Sequence, residues 1–398
     1  MYRLNDEQKA VVETVRQVAQ ESIAPHAAAV DTEGRFPREA IDALAAAGFA
    51  GLTIPAEYGG MGQGMRVACA VLDEIAQCCA STAMITLMHI CGCACYTAYP
   101  KNAGEVLREV ARGEHLTTLA WSEKGSRSHF WAPVSEALSS EASTNNGSTN
   151  NGSTNNGNVV LNAEKSWVTS AGEADGYVVS TGTAGRSGPT DIMLYLVLKG
   201  DTGFTVSGPW DSLGMRGNTS APMVLENCEI STQRALCEPG DGFRTMLEVV
   251  LPWFNLGNAA ISVGIAEAAT QATTAHLTGA RLEHLNSRLA DLPNLRARLA
   301  RMRIETDHTR AHLAAALDAV ENPNPSTMLL VLESKAAAGE AAISVTDLGM
   351  KACGGAAFSK RLSIERHFRD ARAASVMAPT SDVLYDFIGK ALCGMDLF

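Results

Sequence analysis

The sequence predicts a mostly helical α+β protein in which two helical units flank a β-rich middle. Changes of hydrophobic period carry that expectation. Apolar residues recur at three- and four-residue spacing up to about residue 115, the helical signature. Short β-rich runs broken by Gly, Asp and Asn turns follow to about Cys237, and the helical period returns from Gly240 to the end. With 398 residues the chain is long enough for two or three domains with substantial cores. The expected divisions are 1–115, 116–237 and 238–398.

In order along the chain, LNDEQKAVVETVRQVAQESIAP opens on an Asn-Asp start and is expected to be a helix ending at Pro25. FPREAIDALAAAGFAGL is a second helix with Pro37 near its first turn, where a missing N–H costs nothing. Residues 66–113 add further helix rich in alanine and leucine. The runs TTLAW, NVVLN, KSWVTS, GYVVST, IMLYLVL, FTVSG and MVLENCEI then read as strands of a small barrel or sandwich. LRARLARMRIETDHTRAHLAAAL belongs to the last unit, a helical bundle. Outside this scheme lie three copies of STNNG from Ser143 to Gly157. They offer no apolar side chain to bury, so they read as a disordered, mobile hairpin tip.

Composition narrows the function classes. Hydrophobic residues make up 46% and charged ones 19%, as in ordinary globular proteins. A net charge of −11 argues against nucleic-acid partners, which need a basic stripe. The start shows no basic-then-apolar leader and the chain no apolar run approaching ~18 residues, so neither export nor a membrane is expected and the location expected is cytoplasmic. The ten cysteines lie in apolar segments and read as reduced thiols. Cys91, Cys93 and Cys95, with Cys78 and Cys79 upstream, read as buried structural residues and not as a metal site, because alternate residues of a helix do not face one another.

Six fragments carry a more specific signal. They are PAEYGGMG (Pro55 to Gly62), KSWVTSAGEAD (Lys165 to Asp175), LGMR (Leu213 to Arg216), VLENCEI (Val224 to Ile230), the pair Gly354-Gly355 and RDARAASVMAPTSDV (Arg369 to Val383). In this order and spacing they resemble the acyl-CoA dehydrogenase family across most of the chain. The resemblance implies a helical N-domain, a central β-barrel or sandwich and a C-terminal four-helix bundle. It also implies non-covalent FAD and a homodimer or homotetramer. An acyl thioester is the implied substrate, with an electron-transfer flavoprotein or O2 as acceptor.

Carried over position by position, the resemblance puts Ser122 where a threonine bonds the flavin's pyrimidine edge and Ser128 near the pyrophosphate. Trp167 and Thr169 match the pair beside the flavin ring, although a lone strand tryptophan is more often plain core. Arg281 matches an arginine that reaches the pyrophosphate across subunits, as a guanidinium fork can. Gly354 and Gly355 allow close backbone approach to the adenine half. Thr380 is expected to cap the last helix near that end.

The departures gather around the substrate. Where the family has Glu-Gly-Thr, with the glutamate as base, this chain has Ala378, Pro379 and Thr380. The other seat for a base falls at Phe254 and Asn255, again without a carboxylate. Arg127, Trp253 and Phe254 are the expected pocket residues. The catalytic base is thus unknown; His129 is a candidate by residue type, and Glu248 lies about two helical turns before Asn255. Three functions remain open: α,β-dehydrogenation of a thioester with hydride transfer to the flavin, an oxygenase or oxidase on the same scaffold, or a non-catalytic flavin-binding protein.

Deleting Ser143 to Gly157 and closing the strands with a two-residue turn should change unfolding free energy by no more than ~1 kcal/mol, because loop entropy varies slowly with length. A urea titration that lost several kcal/mol would show the repeats packed against the domain.

Overall fold

The computed structural model describes residues 2–126, 129–139, 157–183, 185, 186, 188 and 190–397. Arg127, Ser128 and the repeats up to residue 156 lie outside the described residues. Helix α1 (Asp6–Val18) starts at Asn5, whose Oδ1 accepts the Gln8 N–H at 2.8 Å while Gln8 Oε1 accepts the Asn5 N–H at 3.0 Å. Such reciprocal caps satisfy two otherwise orphaned donors. The expected stop at Pro25 is a bend instead. The chain continues through a π turn (Ala19–Ile23) and a 3-10 turn (Ala24–His26) into α2 (Ala27–Glu33). Pro25 removes one N–H and distorts the ladder, yet the buried Ile23, Ala27 and Val30 keep the helical path on the core.

Helices α3 (Arg38–Ala46), α4 (Met65–Cys78), α5 (Ala80–Ala98) and α6 (Pro100–Ala111) complete the first unit. The C-terminal bundle holds α7 (Gly242–Gly279), α8 (Pro293–Glu321), α9 (Thr327–Cys353), α10 (Ile364–Asp370) and α11 (Ser381–Leu392). By length and composition α5 and α7 are apolar enough to cross a bilayer, which corrects the expectation of no such run. Both are mostly buried inside the fold, so their apolarity belongs to core packing. At Gly264 a Cβ would lie 2.5 Å from the Asp73 carbonyl oxygen, so its absence lets α7 seat against α4. Cys91, Cys93 and Cys95 are buried thiols on α5.

Among the described residues the middle unit has two sheets. One has the order β1 (Thr117–Ala120), β4 (Gly176–Gly182), β5 (Ile192–Leu198), with β1 parallel to β4. The other is antiparallel, in the order β2 (Ala137–Ser139), β3 (Asn158–Val168), β7 (Ala221–Ser231), β6 (Phe204–Val206). NVVLN and the start of KSWVTS, up to Val168, are one strand, β3, kept whole across two breaks in register against β7. Strand β4 is buried throughout, whereas β3 alternates and leaves one face to solvent.

Two of the fragments, far apart in the chain, meet where the units join. Gly214 packs against the Arg369–Asp370 peptide so closely that a Cβ there would sit 2.5 Å from the Arg369 carbonyl carbon. The Met215 N–H donates to Asp370 Oδ1 at 2.6 Å, and Arg369 donates to the Leu213 carbonyl at 3.0 Å and to Asp31 at 2.6 and 2.8 Å. One turn thereby holds all three units together.

Burial raises the Asp370 carboxyl to about 6, against the opposing pull of the Met215 N–H. Asp370→Ala leaves that N–H buried and unpaired and should cost ~1–3 kcal/mol, whereas Asp370→Asn keeps an acceptor and should stay near wild type. Because the folded value is raised, the stability tied to this proton is fully present below about pH 4 and is lost as pH rises through about 6. Denaturation curves should therefore show wild type gaining on Asp370→Asn between pH 7 and pH 4; a constant difference would refute the assignment.

Candidate active site

A cavity of about 940 Å³ opens between the β-unit and the two helical units. Its β-side carries Trp121, Ser122, Ser166, Trp167 and Thr169, and the Leu213–Met215 turn closes one edge. The helical side carries Met84 and Met88 from α5, and Val250, Leu251 and Phe254 from α7. The strap between α10 and α11 contributes Val376, Met377 and Ala378.

Trp167 owes its place to the second break in β3, between Lys165 and Val168, where its φ is +58°. A tryptophan in that region stores roughly 1–3 kcal/mol of backbone strain. The result is a ring 69% exposed at the cavity, edge-on to Trp210 with centroids 6.1 Å apart. It is not a core aromatic. Two residues on, Thr169 Oγ1 lies 3.0 Å from Ser220 Oγ, which donates to Asn218 Oδ1 at 3.0 Å, a buried polar chain along the wall. Trp121 stacks on Phe130 with centroids 5.9 Å apart, and among the described residues its buried Nε1–H has no partner. A buried donor in a cavity wall without an acceptor is a place for a ligand atom.

Behind Ser122 lies a buried ion pair. Lys165 Nζ sits 2.6 Å from Glu123 Oε1 and 2.6 Å from the Ser180 carbonyl oxygen. Glu123 also accepts the N–H groups of Val134 and Ser135 and the Ser135 hydroxyl. Desolvation works to raise the Glu123 carboxyl, but Lys165 and these donors hold it below the ordinary carboxylate value. Burial draws Lys165 down while Glu123 resists. Glu123 is the one carboxylate lining the cavity among the described residues, and this pairing occupies it.

The structure thus brings Ser122, Trp167, Thr169, Phe254 and Ala378 to one cavity. Other expected residues lie elsewhere. His129 is exposed and packs its ring on Trp131, centroids 5.0 Å apart. Trp253 is half-buried against the core without lining the cavity. Asn255 is fully buried in α7, and among the described residues neither of its amide atoms has a partner. Arg281 is exposed in a short hairpin formed by β8 (Arg281–Leu282) and β9 (Ser287–Arg288), and Gly354 and Gly355 follow α9 with open space around them. Thr380 takes the N-cap position of α11, but its side chain makes no capping bond, a correction to the expectation; its carbonyl accepts the Leu384 N–H at 2.9 Å. Glu248 is 65% exposed beside Arg244. Its two-turn count fails because Pro252 has no N–H for the Glu248 carbonyl, and Thr245–Val250 widens into a π turn. Sequence reasoning missed Met84, Met88, Trp121 and Ser220; the last lies four residues beyond LGMR, a spacing that was available as a signal.

The donor set fits a flavin. It supplies an exposed indole face, hydroxyls at Ser122 and Thr169, an unpartnered indole N–H and apolar walls. Residues 5–114, 118–228 and 240–393 match the N-terminal, middle and C-terminal domains of acyl-CoA dehydrogenase. The chain is 29% identical over 392 residues to the probable acyl-CoA dehydrogenase FadE25 of Mycobacterium tuberculosis, covering 98% of this chain and 97% of the relative. Butyryl-CoA dehydrogenase from Megasphaera elsdenii superposes with a TM-score of 0.89 at 23% identity, over 98% of this chain and 99% of that one. PigA, solved with FAD and proline, superposes with a TM-score of 0.87 at 17% identity, over 99% of each chain. At these identities the two superpositions show the fold alone.

Lys165→Met would strand the buried Glu123 and should cost ~3–5 kcal/mol in urea unfolding, and Glu123→Gln in that background should recover part of the loss. Because the folded Glu123 value is depressed, the stability tied to its charge is present above about pH 4.3 and is lost as pH falls through the lowered value. A Lys165→Met protein as stable as wild type would remove the pair from its structural role.

Proposed function

The chain belongs to the acyl-CoA dehydrogenase family, whose members are FAD enzymes, and from that premise we propose that it is an FAD-dependent oxidoreductase acting on the α and β carbons of an acyl thioester carried by CoA or a carrier protein. The observation that carries this reading is the single cavity joining Ser122, Trp167 and Thr169 to Ala378 over an apolar floor. Bound FAD would supply the hydride acceptor. Trp167 offers it an aromatic face, and Ser122, Thr169 and the Trp121 N–H offer hydrogen bonds. Met84, Met88, Val250, Leu251 and Phe254 pack an acyl chain and exclude water from it.

The wall provides little for the α-proton. Ala378 cannot accept it, and Glu123 is held by Lys165. General-base assistance is worth ~100- to 10,000-fold, so simple straight-chain thioesters should be slow substrates. The exposed Arg281 hairpin and the open Gly354-Gly355 corner suit a cofactor tail held against a second copy, in a homodimer or homotetramer. The electron acceptor in this reading is an electron-transfer flavoprotein. The vacant base position also favours a second reading, an oxygenase or oxidase with O2 as acceptor; fast reoxidation of the reduced flavin by air selects it.

Heat denaturation should release FAD; release of FMN would remove the basis of the site. Octanoyl-CoA should bleach the wild-type flavin at least ~100-fold more slowly than it bleaches a family member that retains the glutamate, and Ala378→Glu should recover measurable dehydrogenation. Rapid bleaching of wild type would mean that a base elsewhere serves.

A further inference from the structure

Beneath the strap that carries Ala378 lies the α9 side chain of Lys335, which is 1% exposed. Its Nζ donates to three backbone carbonyls of the strap: Ala374 at 2.9 Å, Met377 at 3.1 Å and Pro379 at 2.7 Å. An ammonium has three protons, and all three are used. Among the described residues no carboxylate pairs with it, and burial alone draws its pKa down to about 7. The three acceptors pull the other way, since a neutral amine could serve only two of them. The Phe254 ring centroid is 5.9 Å from Nζ on the cavity side. Lys335 itself does not line the cavity.

We propose that Lys335 is a positioning residue: its buried ammonium pins the strap Ala373–Pro379 to α9 and so sets where residue 378 stands against the substrate. Among the described residues the strap has few other hydrogen bonds from outside it. Asn258 reaches Met377 only through a 3.7 Å contact with its sulfur. On the same face of α9, one turn on, Gly339 has no side chain, and a Cβ there would lie 3.3 Å from Ala374 Cβ, so the helix and strap lie close together. Beyond the strap, Ser381 donates to Glu340 Oε1 at 3.2 Å, again on α9. Helix α9 is therefore the frame, and Lys335 is its three-point clamp. With its protons committed to carbonyls and its nitrogen behind the wall, Lys335 is not the missing base.

The part concerning substrate rests on the thioester reading; the clamp does not, and the test separates them. In the FAD-loaded full chain, Lys335→Met should speed hydrogen exchange at the Met377 and Leu384 amides, which bond to Ala373 and Thr380, at least tenfold, while amides of α4 keep their protection. Unchanged exchange in the strap of a folded Lys335→Met protein overturns the proposal. Should that variant not fold, Lys335→Arg keeps the charge but cannot reproduce three-point donation from one nitrogen; it must show the same local loss, and its absence overturns the proposal equally. In an Ala378→Glu background, Lys335→Met should slow flavin reduction by octanoyl-CoA about tenfold without changing the Kd for FAD, and equal rates sink the positioning role. If Ala378→Glu alone shows no reduction, the thioester reading fails, and the exchange data still decide the clamp.

Discussion

The rest of the molecule depends on one buried contact, the Asp370 carboxylate accepting the Met215 N–H where the C-terminal bundle meets the β-unit. It works only because residue 214 has no side chain, which lets two backbones touch. Arg369, next in line, reaches back to Asp31 in the first unit. The cavity is enclosed by the surfaces that this joint brings together, so its shape follows from inter-unit geometry and not from any one domain.

Buried cations hold two of the cavity's walls, and they do so differently. Lys165 is matched by Glu123, so that wall is an ion pair whose cost of desolvation is offset locally. Among the described residues Lys335 has no carboxylate partner, and three backbone carbonyls hold it. The two sides of the site therefore differ in character: a β-side with hydroxyls and a buried ion pair, and a helical side whose lining is apolar apart from Arg369 and Arg372, with a clamped strap. In the proposed reading such a cavity would hold a flat aromatic cofactor and an acyl chain, while Glu123, its one carboxylate among the described residues, is already paired.

Much of the candidate cavity is legible in the sequence wherever a residue's placement depends on its immediate neighbours in the chain. Ser122, Trp167, Thr169, Phe254 and Ala378 reached the cavity because each is tied to a local device: a strand exit, a bulge, a helix turn or a strap. Met84 and Met88 carried no such mark, being two apolar residues in a helix that is buried along most of its length. Glu248 misled because a helical count assumes an unbroken ladder, and Pro252 breaks it. Arg281, Gly354 and Gly355 lie away from the cavity of a single chain, where the resemblance also placed an arginine acting across subunits.

By itself the sequence determined the helix–sheet–helix order, the family and the loss of a carboxylate at residue 378, because periodicity and local motifs are written in consecutive residues. Only the tertiary structure decided that Glu123 is occupied, that Trp167 is exposed and not core, and that Lys335 stands behind the strap. Those facts are relations between residues 15 to 44 positions apart, such as Lys165 with Glu123 and Ser180 or Lys335 with Pro379. Burial and hydrogen-bond partnership arise when such residues are packed together, and no local pattern encodes them.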